Sequence, residues 1–288
     1  MVVKRTSTPI YQNIFRRLAQ IWRFKFLLQN LILRDLKVRY RNSLLGVLWS
    51  LLTPLFMMLV FSLVFNFAFP NTLIRQYAVF FLVGLIPWNF FNNGLRLGAN
   101  AFLANSVLIK KVYFPRELLP LSAIITELIN FGFAFFILVI FLYATGLPLT
   151  VYALWIIPIL ISQIFLTLGL ALLFGSINVF YRDAMMILDV ALTALFFLTP
   201  IFYSLEQYGT TTTLLGISFN PAQVMRWINP MASIVDGYRT VLWGTIGSSG
   251  PASMDIPFWW RTFVTSLLIF AVGYITFLRT ESSFGEKL

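Results

Sequence analysis

Apolar residues in this chain come in long unbroken blocks. Between Leu128 and Tyr181 there is no charged side chain at all. That length is too great for one bilayer crossing and suits two, because a hydrocarbon core of about 30 Å takes roughly 20 apolar residues per helix. Residues 143–150 (YATGLPLT) supply a Gly and a Pro that divide the block. Extended along the chain, the pattern predicts about six spanning helices, at 44–69, 77–104, 118–142, 151–180, 184–204 and 258–278. Pro54 lies in the first, where a membrane helix tolerates it if neighbours satisfy the freed carbonyl. The second turns more polar past Leu95 (RLGANAFLANS). Glu127 falls in the third and Asp189 in the first turns of the fifth. The expectation is an all-α polytopic membrane protein with a cytoplasmic segment, 1–42, and a transmembrane domain, 43–288.

Three segments outside the blocks have shapes of their own. Residues 22–41 (WRFKFLLQNLILRDLKVRYR) read as an amphipathic helix lying along the membrane surface. Leu28, Ile32, Leu36 and Tyr40 form its apolar row, with Asn30, Arg34, Lys37 and Arg41 opposite, and Leu27, Leu31 and Val38 on the basic side. Residues 105–120 (NSVLIKKVYFPRELLP) form a short connection between two long helices, a good handle for moving both. Pro115 holds Phe114 extended and favours a helix restart. Glu117 then sits where a helix dipole favours an acid. Arg116 and Glu117 are read as exposed charges whose loss folding would hardly notice. Finally, 204–257 is rich in Gly, Pro and Thr. Pro221 and Asn229-Pro230 open stretches too short to span, so re-entrant or interfacial helices are expected before the last span, with Tyr238 and Arg239 near the exit of any conduit.

Composition supports this class and removes others. The chain is 59% hydrophobic and 11% charged, with mean hydropathy +0.84. It holds no Cys and no His, which excludes a disulfide framework, a Cys/His zinc site and a Cys or His nucleophile. Asp35, Glu117 and Asp183 lie on separate loops, so a metal-dependent membrane transferase lacks its carboxylate cluster. The net charge of +11 is concentrated in the N-terminal segment and in the connections holding Lys110, Lys111, Arg116 and Arg182. The positive-inside rule then places both termini in the cytoplasm and explains the basic charge without nucleic acid. The polar N-terminus is unlike a cleaved signal peptide, so the first span is expected to act as the insertion signal and stay.

Aromatic residues make up 17% of the chain. Sugar rings stack on aromatic faces, so Trp49, Phe56, Phe196, Phe197 and Phe202 are candidate conduit-lining residues; packing against lipid is the alternative for each. Trp88, Trp155, Trp259 and Trp260 read as interface anchors.

Five strings, in order, carry a resemblance: RDLKVRYRNSLLGVLWSLLTPLFMMLVFSLVF (34–65), GLIPWNFF (84–91), NSVLIKKVYFPRELLPLS (105–122), NVFYRDAMMILDVALTALFFLTPIFYS (178–204) and INPMASIVDGYRTVLWG (228–244). Together they resemble the ATP-binding-cassette export permeases of O-antigen, capsular polysaccharide and teichoic acid. The resemblance implies a six-helix homodimeric permease that recruits two copies of a separate cytoplasmic ATPase, which would bind the ATP and Mg; this chain would hold no cofactor. No Gly is followed by Lys, so there is no phosphate-binding loop here. ATPase coupling would fall on Arg34, Asp35, Lys37, Arg39 and Arg41, on Lys110, Lys111, Pro115, Arg116 and Glu117, and on Arg182 and Asp183 in the second connection. The implied function is export of a lipid-linked, O-antigen-like glycan across the bacterial plasma membrane. Teichoic acid is the alternative cargo, and a secondary transporter driven through Glu127 or Asp189 the alternative mechanism.

Overall fold

The computed structural model describes residues 17, 19–41, 48–68, 74–204, 212–214, 217–248 and 250–288. Its architecture is a helical bundle. Helix α1 (Lys25–Tyr40) is followed by α2 (Leu48–Ala68), α3 (Tyr77–Ala104), the short α4 (Ser106–Lys111) and α5 (Leu118–Ala144). A 3-10 turn (Val151–Trp155) leads into α6 (Ile156–Phe180), then α7 (Asp183–Leu198). A small antiparallel hairpin, β1 (Thr212–Leu214) with β2 (Ile217–Phe219), departs from the all-helical pattern. Then come α8 (Pro221–Ile228), α9 (Pro230–Leu242), α10 (Ile256–Thr280) and α11 (Phe284–Lys287).

Four helical segments among the described residues are long and apolar enough to cross a bilayer: Tyr77–Ala104, Leu118–Ala144, Val151–Phe180 and Ile256–Lys287. The second and fourth predicted spans match their helices, and the third and last extend slightly further. The first is helical from Leu48; its predicted start at 44–47 lies outside the described residues. The fifth departs from expectation. Its helix stops at Leu198, and 199–204 bends without helical structure. Pro200 explains the stop, because it drives Thr199 into extended backbone, φ −87° and ψ 132°.

Helix α3 is the centre of the bundle. Val79, Phe81, Val83, Ala99 and Phe102 are wholly buried, and α2, α5, α6, α7 and α9 all pack on it. Small residues let its neighbours come close, as membrane helices require where no hydrophobic effect drives them together. A side chain at Gly98 would meet the Ala171 Cβ at 2.7 Å, and one at Gly175 would meet the Phe102 ring at 3.1 Å. The α6–α10 crossing is tighter still. A Cβ on Gly273 would fall 1.9 Å from the Gly169 carbonyl oxygen. Polar side chains add directional ties across the seam: Gln163 donates to the Pro87 carbonyl at 2.7 Å, and Asn178 to that of Ala99 at 3.2 Å.

The short helices before the last span form where expected. Asn220 and Asn229 cap them by accepting backbone N–H groups, and Pro221 and Pro230 occupy the first helical positions. An Asn cap followed by Pro is a strong start signal, since both satisfy or remove an orphan donor.

Candidate functional site

Helices α1, α4 and α11 gather at one end of the bundle. Here the apolar stripe of α1 differs from the expected one. Leu31 is buried, with Leu27 and Leu28 partly buried against the same cluster, whereas Val38 stays exposed. A strict four-residue row drifts about 40° per step around a helix of 3.6 residues per turn, so Leu27 and Leu31 belong to the packed face rather than the basic one. Polar contacts then pin α1 down. Arg34 donates to Asp35 at 2.8 Å and to the Asn105 side chain at 2.8 Å, and Arg39 forms an ion pair with Glu127. Lys37 and Arg41 remain exposed.

The connection after α3 divides into an inner and an outer part. Val107, Lys110, Lys111, Val112 and Tyr113 project outward, Tyr113 being 91% exposed. Phe114, Pro115 and Glu117 are buried, and Arg116 is half-buried. Glu117 is therefore no exposed charge, contrary to the sequence expectation. Its carboxylate is 5% exposed and pairs with Arg17, which also reaches Glu281 at 2.8 Å. Burial by itself would lower the Arg17 pKa, but Glu117 and Glu281 raise it above its ordinary value and keep the guanidinium charged. Arg116 donates to the Glu281 carbonyl and lies 5.8 Å from the Phe284 ring centre. Three distant parts of the chain meet at this junction. In the next connection Arg182 and Asp183 are exposed, at the start of α7.

Both acids at membrane depth have cationic partners. Glu127, 2% exposed, pairs with Arg39 and accepts from Asn130 at 3.3 Å. Asp189 pairs with Arg96 at 2.9 Å, joining α7 to α3. Neither partner was identified in the sequence, although Arg96 stands inside an apolar block and could have prompted the question.

The candidate aromatics separate into two sets. Phe196, Phe197 and Phe202 cluster within 6.0 Å of one another. Trp88 lies 5.7 Å from Phe196, and Phe61 extends the cluster to Phe81 by stacking at 4.6 Å. Trp88 is thus a core residue, 4% exposed, rather than an interface anchor. Trp49 and Phe56 lie away from this cluster, exposed on α2.

Tyr238 and Arg239, expected near an exit, are interior residues. Tyr238 is fully buried 6.2 Å from Phe131. Arg239 lies over the Phe80 ring at 3.6 Å and donates to the carbonyls of Ile201 (2.5 Å) and Tyr203 (3.2 Å). Between them, the Phe202 carbonyl accepts from the Tyr77 hydroxyl at 2.9 Å. Three consecutive carbonyls of the bent segment are satisfied by side chains, the condition under which irregular backbone survives away from water.

A bundle of long apolar helices with charged side chains paired inside it defines an integral, multi-pass membrane protein. The model of the ABC-2 type transporter family matches residues 27–243, and the chain belongs to that family, as a transport permease subunit. It is 31% identical over 230 residues to the O-antigen export system permease protein RfbA of Myxococcus xanthus, covering 80% of this chain and 85% of that one. It is 28% identical over 259 residues to the protein of the same name from Klebsiella pneumoniae, covering 88% and 92%.

Proposed function

We propose that this permease exports a lipid-linked, O-antigen-like polysaccharide across the bacterial plasma membrane as a homodimer, driven by two copies of a separate cytoplasmic ATPase. The observation that carries the reading is the outward knob Val107, Lys110, Lys111, Val112 and Tyr113. It sits on a short helix held between α3 and α5, braced from within by Glu117, Arg17 and Glu281. A push on the knob reaches two bundle helices at once. In this assignment Lys110 and Lys111 contact the ATPase, while Pro115, Arg116 and Glu117 stiffen the mount. Lys37, Arg41, Arg182 and Asp183 are exposed and are assigned to the same docking surface, and Arg34, Asp35 and Arg39 hold α1 alongside. The names of the relatives support O-antigen over teichoic acid as cargo. The Arg39–Glu127 and Arg96–Asp189 pairs speak against a proton relay, because each carboxylate is already engaged by a guanidinium of another helix.

The test uses Tyr113→Ala and Lys110→Glu. Surface substitutions of this kind change folding by about 0.5 kcal/mol or less. Truncating an aromatic anchor of an interface costs about 2 kcal/mol or more, roughly 30-fold in affinity. Co-purification of the ATPase subunit and ATP-dependent glycan export should both fall while the folded permease stays at the wild-type level. Unchanged ATPase association in both variants would refute the knob as the docking element. Export that stops when the proton gradient is collapsed at constant ATP would favour the secondary transporter.

A further inference from the structure

One side of α3 does not fit a helix packed among apolar neighbours or facing lipid. Asn89, Asn93, Arg96 and Asn100 recur at i, i+4, i+7 and i+11, with Asn92 beside them. They share a single face about 16 Å long at 1.5 Å per residue. Asn93 and Asn100 are exposed, and Asn89, Asn92 and Arg96 are partly so, on a helix otherwise largely buried. Across from them α7 presents Asp189, Thr193 and Phe197 at i, i+4 and i+8. Two contacts set the register between the helices: Arg96 to Asp189 at 2.9 Å and Trp88 to Phe196 at 5.7 Å. The two faces thus run side by side, polar at one end and aromatic at the other.

Depth makes this polarity costly unless it is wet. Asn93 and Asn89 lie 11 and 15 residues before the end of α3, about 16 and 22 Å from it, beyond the roughly 12 Å by which this 28-residue helix exceeds a hydrocarbon core of about 30 Å. Polar groups at such depth face a bundle interior or a water-filled cavity, not lipid. Lipid-facing surface looks different in this molecule: Phe136 and Ile140 on α5 and Leu268 and Val272 on α10 are exposed and apolar.

We propose that Asn89, Asn92, Asn93, Arg96 and Asn100, with Asp189 and Thr193 opposite, are the hydrated wall that contacts the sugar chain during export. The assignment rests on the function proposed above and specifies which groups read the cargo. Each Asn amide offers two donors and an acceptor, which matches sugar hydroxyls that donate and accept in turn. Arg96 and Asp189 neutralise each other, so the wall carries no net charge that would hold an anion. Such a surface favours a neutral, hydroxyl-rich chain that must slide, and the exposed Phe197 continues it with a ring face.

The chain has no native Cys, so single cysteines test this directly. Asn89→Cys, Asn93→Cys, Asn100→Cys and Thr193→Cys are placed in the permease–ATPase complex in inverted membrane vesicles, with Leu268→Cys and Phe136→Cys as lipid-facing references. The probe is the membrane-impermeant reagent 2-sulfonatoethyl methanethiosulfonate. The wall cysteines should react at least about tenfold faster than the references, because the reacting species is the hydrated thiolate. Adding undecaprenyl-pyrophosphate-linked O-polysaccharide should slow them, and Asn93→Leu with Asn100→Leu should cut export at constant ATPase association, whereas Asn93→Gln retains it. Wall cysteines as inert as the references would overturn the proposal and show the stripe covered by a second copy of the chain. Reactive cysteines that the polysaccharide leaves unprotected, with normal export by the Leu variants, would overturn the assigned occupant. Wild-type export is measured in the same vesicles. Its absence would defeat the proposed function while the reactivity pattern still reports whether the wall is wet.

Discussion

Glu117→Gln keeps the volume of the side chain and removes its charge, leaving Arg17 half-buried against the remaining carboxylate of Glu281. Removing one partner of a buried pair costs about 3–5 kcal/mol, and the partial exposure of Arg17 brings the expected loss to about 2 kcal/mol. The amount of folded, detergent-soluble permease should therefore drop with Glu117→Gln, and wild-type thermal stability in that variant would contradict the buried pairing. The sequence made the charge at Glu117 visible but not its burial. Its partners Arg17 and Glu281 lie 100 residues before it and far beyond it, in segments with no local pattern to connect them. Arg239 was hidden for the same reason, since its acceptors are backbone carbonyls on another element.

Helix packing sets the next scale, and glycines test it. Gly273→Ala would place a methyl group against the Gly169 backbone, and neither backbone can yield without parting α6 from α10. Overpacking of this kind costs about 1–3 kcal/mol, and a backbone clash belongs at the upper end. Gly132 on α5 has open space around its missing Cβ. There Gly132→Ala should stabilise the protein by about 0.5–1 kcal/mol, as Ala does in a helix interior. Opposite shifts in thermal inactivation of the two variants in one detergent are the check; shifts of the same sign would dispose of the crossing as drawn. Spans were legible as apolar blocks, but the meeting of Gly98 with Ala171 and of Gly175 with Phe102 came only with the structure, because the residues of each pair lie about 70 positions apart in sequence. The bend after α7 was not separated from the span by hydropathy, because Ile201 and Phe202 carry the uncharged block past Leu198, and the geometry of Thr199-Pro200 breaks it.

For the whole molecule, sidedness is the property that charge alone foretells. Lys111→Cys in the outward knob and Ser253→Cys before α10 are both exposed, at opposite ends of the bundle under the proposed topology. In sealed vesicles an impermeant maleimide should reach Lys111→Cys from the cytoplasmic face and Ser253→Cys from the other. Labelling of both from one face would invert the arrangement of spans. The basic segments and the apolar blocks are what predict this orientation, since both act through bulk solvent and lipid rather than through particular contacts. The proposed sugar-facing stripe was not legible, because an Asn in a helix becomes informative only once its neighbours are seen to leave it exposed.

The clamp on Ile201, Phe202 and Tyr203 sets an order for synthesis. Chains emerge from the ribosome N-terminal end first. The bent segment is therefore made, and must wait at the membrane, before Arg239 exists to bind two of its carbonyls. Of the three clamp bonds, the one from Tyr77 can form through that interval. A nascent chain arrested just short of α9 should hold α7 loosely and be degraded faster by membrane proteases than one arrested past Trp243. The late arrival of one arginine would then be the step at which this permease passes quality control.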